Sequence, residues 1–201
     1  MSLIHKIKNL DGIELSRDKD ERVIRDNNWV EDLNKGDKNA FEAIYKCYYA
    51  QLYHFLVRYL SSGPAIEDTI QQVFFNVWQN RENLEPRGTL KSYLFTAVRN
   101  QAFKQLDHDN KVDRNQSEWI ENYQGSEKNP ELHFELEELE KAYQEAVEKL
   151  PEKRRHIFLM HRQNNLTYQE IADVLEISIK TVETQMSRSI KFLSIYLKRF
   201  R

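Results

Sequence analysis

Five polar side chains share one face of a helical segment near the C-terminus, and their chemistry suits hydrogen bonding to DNA bases. They are Lys180, Thr181, Thr184, Gln185 and Arg188. Their spacing places amide, hydroxyl and cationic groups along one side of an α-helix. The other side is apolar, with Val182, Met186, Ile190, Leu193 and Leu197 predicted to be buried. A helix with these two faces can lie in the major groove and read base edges.

The residues before this segment predict a helix-turn-helix. Thr167 and Glu170 have the spacing of a capping box, and Ser178 can cap the second helix. Apolar residues expected to face inward or to fill the turn are Ile171, Ala172, Leu175 and Ile177. Glu176 stands where such turns usually have glycine, so a left-handed backbone there would cost about 1–2 kcal/mol. The alternative is an ordinary helical hairpin with a solvated polar face, but the complete pattern favours the helix-turn-helix.

A second candidate surface lies on the helical segment from Ala65 to Arg81. Its predicted buried stripe is Ile66, Ile70, Val73 and Val77. That stripe leaves an acid, two amides and an aromatic ring facing outward, namely Asp68, Gln71, Gln72 and Phe75. Such a surface suits docking onto a partner protein. The alternative is a core helix whose polar side is simply solvated.

The sequence indicates no catalytic or metal site, so neither a metal nor a cofactor is expected. His156 and His161 are five residues apart, which does not align them on one helix face, and no suitable group joins them. The single cysteine, Cys47, has no evident partner base for thiol chemistry. Glu67 and Asp68 are adjacent, so their carboxylates diverge on a helix.

Composition predicts one or two small helical domains in a reducing cytoplasm. The 201 residues are 40% hydrophobic and 31% charged, with only five Gly and four Pro. No apolar run is long enough for a signal peptide or a membrane span. Charge is uneven: residues 1–106 carry 15 Lys and Arg against 14 Asp and Glu, residues 107–150 carry 5 against 13, and residues 151–201 carry 10 against 5. The basic C-terminal quarter can meet phosphate, but a solvated basic helix would look the same.

Periodicity and breakers divide the chain into four parts. Residues 1–27 are a flexible arm or a marginal helix, and a short helix is expected from Trp29 to Gly36. Further helices follow from Asp37 and from Ala65, then a loop at 83–89 and a helix from Leu90 to Leu106. Residues 107–130 are polar and read as a flexible acidic linker between two domains, 28–106 and 131–201. Pro130 can begin a helix that runs to Leu150.

Four stretches in order resemble a bacterial sigma factor of the extracytoplasmic-function (ECF) group. They are GDKNAFEAIYKCYYAQLYHFL, AIEDTIQQVFFNVW, GTLKSYLFTAVRNQAF and EKLPEKRRHIFLMHRQNNLTYQEIADVLEIS. The resemblance implies an all-α protein with a region 2 domain, which docks on the clamp helices of the RNA polymerase largest subunit and melts the -10 element. It implies a region 4 domain that reads the -35 element, with the polymerase flap as a further partner. It also implies an anti-sigma factor, commonly membrane-anchored in this family.

The resemblance assigns roles to the candidate residues. Docking falls on the helix from Asp68 to Trp78, and -35 reading on the helix from Ser178. For the -10 element, Asn83 and Glu85 are candidates to hydrogen-bond a flipped base. An aromatic ring and nearby cations, Arg87, Lys91, Tyr93, Arg99 and Lys104, are candidates to hold the open strand. Tyr93 stands where the family usually has Trp, and it either stacks on a base or fills the core.

Two other functions remain alternatives at this point. One is a conventional regulator that binds duplex DNA and recruits polymerase from outside, which would need neither the docking face nor a melting loop. The other is an enzyme with an appended DNA-binding domain, which the missing catalytic constellation disfavours. The acidic linker either threads a basic channel of the polymerase, as the resemblance implies, or is a simple tether.

Overall fold

A computed structural model describes the backbone of residues 14–112 and 134–198, and the side chains of residues 20–106 and 141–198. Every regular element in these ranges is a helix. The chain divides into two compact units, Met1–Glu121 and Asn122–Arg201. The predicted fold, two small all-helical domains, is confirmed.

The described residues of the first unit, 14–112, form four α-helices and a short 3-10 turn. They are α1 (Glu14–Asn34), α2 (Lys38–Leu56), α3 (Gly63–Gln79), the 3-10 turn Arg81–Asn83 and α4 (Leu90–Val112). Polar side chains begin the helices: the Asp37 carboxylate accepts from the Asn39 N–H at 2.8 Å, and Ser62 Oγ accepts from the Ala65 N–H at 3.3 Å. Gly36 has φ 87°, a left-handed conformation that separates α1 from α2 at little steric cost.

The core of the first unit forms where α2, α3 and α4 pack together. The predicted stripe on α3 is buried as expected, with Phe74 added to it: Ile66, Ile70, Val73, Phe74 and Val77. It meets buried side chains of α2 and α4, including Ile44, Leu52, Phe55, Leu94, Phe95 and Val98. This packing fixes which residues of α3 must face outward.

A buried carboxylate joins α1 to α2. Asp26 lies on α1 and is almost fully buried. The Tyr48 hydroxyl donates a hydrogen bond to its Oδ2, and Arg25 Nη2 donates to its Oδ1 at 2.9 Å. Burial and the neighbouring carboxylate raise the pKa of the Tyr48 phenol, so it stays protonated and keeps donating. Removing either partner would leave a buried polar group unsatisfied.

Two helix boundaries of the first unit differ from the sequence-based expectation. The short helix expected from Trp29 begins already at Glu14, so α1 covers half of the segment expected to be an arm. Its weak sequence pattern is offset by tertiary packing, since Leu33 and Asp26 are buried against the unit. Helix α4 continues past the expected end at Leu106 to Val112, into the predicted linker. The rest of that linker, 113–130, lies outside the described residues.

Within residues 134–198, the described part of the second unit, the chain forms four α-helices. They are α5 (Phe134–Glu148), α6 (Glu152–Arg162), α7 (Tyr168–Leu175) and α8 (Ile179–Leu197). The helix expected to start at Pro130 is α5, although Pro130 itself lies outside the described residues. Arg155 of α6 completes the end of α5, because its Nη1 donates to the Glu148 carbonyl at 2.9 Å and to the Glu148 carboxylate at 2.6 Å.

Two residues of the second unit that were predicted to be buried are only half-buried, and a neighbour of each is buried instead. Val174 of α7 is fully buried and Leu175 is only half-buried. On α8, Ser189 is fully buried and Ile190 is half-buried, whereas Val182, Met186, Leu193 and Leu197 are buried as predicted. A buried serine is tolerated because its hydroxyl donates to the Gln185 carbonyl at 2.9 Å. Its small side chain leaves α8 room to pack on its neighbours α5, α6 and α7.

Candidate nucleic-acid and polymerase surfaces

The helix-turn-helix forms as predicted from α7 and α8. The Glu170 N–H donates to Thr167 Oγ1 at 3.2 Å, and the Thr167 N–H donates to Glu170 Oε2 at 2.8 Å, which completes the capping box. Glu176 adopts φ 56° and ψ 42°, the left-handed conformation that the turn requires. The Ile177 N–H then donates to the Ala172 carbonyl at 3.1 Å. The turn is therefore held by backbone hydrogen bonds and a cap rather than by glycine.

Helix α8 presents the five predicted residues on one side. Lys180, Thr181 and Arg188 are exposed, and Thr184 and Gln185 are half-buried. Ser178 Oγ accepts from the Thr181 N–H at 3.1 Å, so the N-terminal turn of the helix is well formed. The first turn of the helix therefore offers hydroxyl and ammonium groups, and the guanidinium of Arg188 follows two turns later.

Lys180, Thr181 and Thr184 make only local contacts, which leave them accessible. Lys180 Nζ lies 3.1 Å from Glu183 Oε2, an exposed pair that a phosphate can displace at small cost. Thr181 Oγ1 is 2.8 Å from Ser178 Oγ, and Thr184 Oγ1 donates to the Lys180 carbonyl at 2.8 Å. Arg188 makes no hydrogen bond or ion pair with any residue that the structure describes. The donors of Lys180, Thr181, Thr184 and Arg188 can thus turn toward a ligand.

On α3, the predicted outward face is exposed. Asp68, Gln71 and Gln72 face solvent, and Phe75 is 55% exposed, which is unusual for so large an apolar side chain. Trp78 is half-buried instead: its ring lies 5.2 Å from that of Phe41, and the Arg81 guanidinium lies 4.7 Å above it. Trp78 therefore closes the end of this face and is held in place by its neighbours.

The loop before α4 holds its three polar candidates outward. Leu84 is buried and anchors the loop, whereas Asn83, Glu85 and Arg87 are exposed on either side of it. The end of the loop is also fixed, because the Ser92 N–H donates to Thr89 Oγ1 at 3.1 Å and the Thr89 N–H donates to Ser92 Oγ at 3.2 Å. The result is a short, anchored loop with an amide, an acid and a guanidinium facing solvent.

Comparison with known families assigns both units. Residues 44–111 match the model "Sigma-70 region 2", and residues 140–193 match "Sigma-70, region 4". The two matches together span more than half of the chain, in the order of the two units described above. The chain is a sigma factor of the sigma-70 family.

Curated relatives place this sigma factor in the ECF group. It is 22% identical over 173 residues to the RNA polymerase sigma-H factor of Pseudomonas aeruginosa, covering 82% of this chain and 90% of that protein. It is 24% identical over 168 residues to the ECF RNA polymerase sigma-E factor of Haemophilus influenzae, covering 80% and 88%. It is 25% identical to the sigma-E factor of Escherichia coli K12, covering 80% and 87%. It acts in the initiation of transcription by RNA polymerase.

Solved structures share the fold of this sigma factor. The structure of CnrH in complex with the cytosolic domain of CnrY matches with a TM-score of 0.55 and 16% identity, covering 87% of this chain and 98% of that one. The sigma factor RpoE of Bartonella quintana, in complex with the anti-sigma factor NepR, matches with a TM-score of 0.55 and 19% identity, covering 79% and 96%.

One predicted cation of the sigma factor is not on the surface. Lys91 was expected beside the melting loop, but it is only 3% exposed, and its Nζ lies 5.9 Å from the centre of the Phe95 ring. The reason is helical spacing, because position 91 shares the inward face of α4 with Leu94, Phe95 and Val98. Lys91 therefore supports the packing of α4, and its prediction as a surface residue was wrong.

The remaining candidates on α4 keep partial exposure. Tyr93 is half-buried, and that burial raises the pKa of its phenol. Stacking on a base and filling the core are both compatible with this half-buried position, so the role of Tyr93 stays a prediction. Arg99 is half-buried and Lys104 is exposed.

An aromatic residue on α4 was missed by sequence reasoning. Phe103 is 36% exposed, and the Arg99 guanidinium lies 5.0 Å above its ring. Tyr59 contacts the Phe103 ring edge-on at 5.5 Å. Burial raises the pKa of Tyr59, an effect that Arg99 and Arg58 oppose. The signal in the sequence was the spacing of Arg99 and Phe103, four residues apart on a helix.

Two residues near α8 were also missed. Ile179 is the first residue of α8 and is 43% exposed, so its side chain is available for an apolar contact such as a thymine methyl group. Arg154 of α6 donates from Nε to Gln185 Oε1 at 3.3 Å. The contact joins residues thirty-one positions apart, so no local pattern could reveal it.

The described parts of the chain offer neither a metal site nor a membrane span. No group of three or more His, Cys, Asp and Glu side chains in the described ranges could hold a metal ion. Among the helices that the structure describes, none is sufficiently long and apolar to span a membrane.

Proposed function

We propose that this sigma factor binds core RNA polymerase through α3, reads the -35 element with α8 and opens the -10 element with the loop at 83–89. Under this proposal it is a specificity subunit and has no catalytic activity of its own. The functional domains are residues 28–106 and 131–201, with 1–27 as an arm and 107–130 as the linker. It works in the cytoplasm, where the polymerase is.

Reading of the -35 element is supported by the exposed polar face of α8. Arg188 and Gln185 carry side chains that can make paired hydrogen bonds to base edges, and each good pair discriminates by about 1–3 kcal/mol. Lys180 lies in the first turn, where a phosphate would also meet the positive end of the helix dipole. Base reading and backbone contact are therefore assigned to different residues of one helix.

Docking is supported by the combination of Phe75 with its polar neighbours. An aromatic side chain that is more than half exposed, flanked by Asp68, Gln71 and Gln72, resembles the centre of a protein interface. The proposed partner is the clamp helices of the polymerase largest subunit, with the flap as a second contact. Trp78 forms the end of this docking face, because its contacts with Phe41 and Arg81 hold its ring at the C-terminal end of α3.

The proposed melting function rests on one observation, the anchored loop whose Asn83, Glu85 and Arg87 face solvent. Unstacking a base costs a few kcal/mol per step. Hydrogen bonds to a captured base and stacking of about 1–3 kcal/mol per base can offset that cost. Arg99 and Lys104 on α4 offer positive charge for the open strand, and Tyr93 and Phe103 offer ring surface. A regulator that binds only duplex DNA needs no such loop.

Regulation by an anti-sigma factor is supported by the two solved structures of similar fold, in each of which the matching protein is in complex with a second protein. The RpoE partner is itself an anti-sigma factor. We propose that an anti-sigma factor also binds this chain. The resemblance to the family implies that this anti-sigma factor is anchored in the membrane.

The melting proposal is tested by replacing Asn83, Glu85 and Arg87 with alanine. Closed-complex formation should remain largely intact, because duplex reading is assigned to the other unit. Strand opening should fall by about tenfold or more, because hydrogen bonds to the captured base no longer offset the cost of unstacking it, a few kcal/mol per step. The measurement is permanganate reactivity of thymines in the -10 region together with run-off yield, using core polymerase of the same bacterium.

A template mismatched across the -10 region is the control for this experiment. It supplies the opening in advance, so it should restore much of the lost transcription, apart from any share due to base recognition itself. A triple variant that opens duplex promoters as well as the unmodified sigma factor would show that melting lies elsewhere. A variant that fails equally on the open template would instead indicate a folding or docking defect.

A further inference from the structure

The contact between Arg154 and Gln185 crosses from α6 to α8, at the proposed DNA-reading face. Arg154 lies in the first turn of α6, where its backbone N–H donates to the Pro151 carbonyl at 2.8 Å. The next turn is locked into the core by the buried side chains of Ile157 and Phe158. Helix α6 packs against α8, so the Arg154 side chain is carried to Gln185 by the fold itself.

The hydrogen bond fixes which end of the Gln185 carboxamide points where. Arg154 Nε is 3.3 Å from Gln185 Oε1. A guanidinium has donors but no acceptor, so only the oxygen of the carboxamide can face it. The orientation is thus dictated by chemistry and is not an arbitrary choice between oxygen and nitrogen. The amide nitrogen, Nε2, is consequently directed away from Arg154, and no described residue accepts a hydrogen bond from it.

An unconstrained glutamine can bind adenine with both ends of its amide, because its oxygen accepts from N6 and its nitrogen donates to N7. A glutamine whose oxygen is engaged offers chiefly its two N–H donors. In the major groove guanine presents the acceptors O6 and N7, thymine presents the acceptor O4, and cytosine presents the donor N4. Adenine presents the acceptor N7 beside the donor N6, so a glutamine that only donates keeps one hydrogen bond to adenine and loses the other. A donor placed against an amino group leaves both unpaired, which is costly at a desolvated interface.

We infer that Arg154 is a specificity-determining positioning residue, which holds Gln185 as a donor. One position of the -35 element is thereby selected for guanine or thymine over cytosine, and adenine there loses the paired contact that a free glutamine makes. This inference rests on the proposed reading of the -35 element by α8. Arg154 acts through Gln185, and the four remaining N–H donors of its guanidinium strengthen the positive, donor-rich character of the site.

The test is selection of DNA by the complete holoenzyme, formed from the full chain and core polymerase. The probe is a duplex pool with a randomised -35 region and a fixed -10 region, sequenced before and after binding. The unmodified holoenzyme should enrich guanine or thymine at one position. Gln185→Ala should remove the preference at that position. Arg154→Ala should lower the ratio of G and T to A and C there by about tenfold, and adenine should gain most because the freed amide can pair with both N6 and N7. The double variant should match Gln185→Ala, because both changes remove one coupled interaction.

Lys153→Ala is the matched control. Lys153 is exposed in the same turn of α6 and its replacement removes the same charge without touching Gln185. It should leave base preference unchanged at every position. Circular dichroism and thermal melting of each variant check that the second unit remains folded.

The outcomes separate the inference from the function on which it rests. If the unmodified holoenzyme forms but selects no -35 sequence, the proposed reading by α8 fails and the inference fails with it. If Gln185→Ala changes one position while Arg154→Ala leaves that preference intact, the proposed function stands and the inference is overturned. The inference is also overturned if Lys153→Ala shifts preference as strongly as Arg154→Ala, since charge alone would then explain the effect.

Discussion

At the turn between α7 and α8, Glu176 holds a conformation that ordinary side chains avoid. A left-handed residue with a Cβ costs about 1–2 kcal/mol, and Glu176 has φ 56° and ψ 42°. The cost is tolerated because the capping box of α7, the Ser178 cap of α8 and the buried Val174 and Val182 determine both helices independently. The strain is therefore maintained by its surroundings.

Replacing Glu176 by glycine should stabilise the second unit. Relief of the Cβ clash outweighs the greater freedom of glycine in the unfolded chain, so we expect a gain of about 0.5–1 kcal/mol. Glu176→Ala keeps the Cβ and should give no such gain. Thermal unfolding of the full chain, followed by circular dichroism, measures the difference. An equal or lower Tm for the glycine variant would mean that the turn stores no strain.

Arg188 and Lys180 should behave differently although both are exposed cations on α8. Arg188→Ala should weaken binding to a matched -35 element by about 1–3 kcal/mol and much less on a scrambled element, since a base contact is lost. Lys180→Ala should weaken binding to all sequences alike and reduce the salt slope by about one, since a phosphate contact is lost. Holoenzyme titrations of both promoters at several salt concentrations measure this. Equal losses on matched and scrambled elements for both variants would remove the assignment of base reading to Arg188.

Helix α3 shows how one element serves two surfaces. Its inward stripe builds the core with α2 and α4, and the same geometry forces Asp68, Gln72 and Phe75 outward. A change confined to the outward face should therefore alter binding without altering the fold.

The double variant Asp68→Arg with Gln72→Ala tests this separation. Co-purification with core polymerase should fall by about tenfold or more, because a charge is reversed at the centre of the proposed interface. Helical circular dichroism should be unchanged. Glu42→Arg is a suitable control, since it makes the same charge reversal on an exposed part of α2. Wild-type recovery of core with the double variant would show that the docking face is misplaced.

At the scale of the whole molecule, charge is distributed in keeping with the proposed division of labour. Residues 151–201 carry 10 Lys and Arg against 5 Asp and Glu, and this basic quarter contains α8. Residues 107–150 carry 5 against 13, which disfavours contact between that segment and the DNA backbone. The net charge of the whole chain, -2, does not reveal this contrast between segments. Whether the acidic segment threads the polymerase or only tethers the domains stays a prediction.

The sequence alone determined the features that depend on local chemistry. The capping box at Thr167 and Glu170, the cap at Ser178 and the apolar stripe of α3 were all predicted and are confirmed. They could be predicted because each involves residues three or four positions apart, where helix geometry fixes the neighbour. The sigma-factor family could likewise be predicted, because its four motifs are continuous stretches that follow one another in order along the chain.

Only the tertiary structure decided what depends on packing between distant segments. The packing of α1 on α2 through the buried Asp26 and Tyr48 joins residues twenty-two positions apart, and the burial of Lys91 follows from where α4 meets the core. The meeting of Arg154 with Gln185 requires α6 to pack on α8. Pairings of this kind are set by which helix faces come together, and a sequence pattern shows one face of each helix without showing its partner.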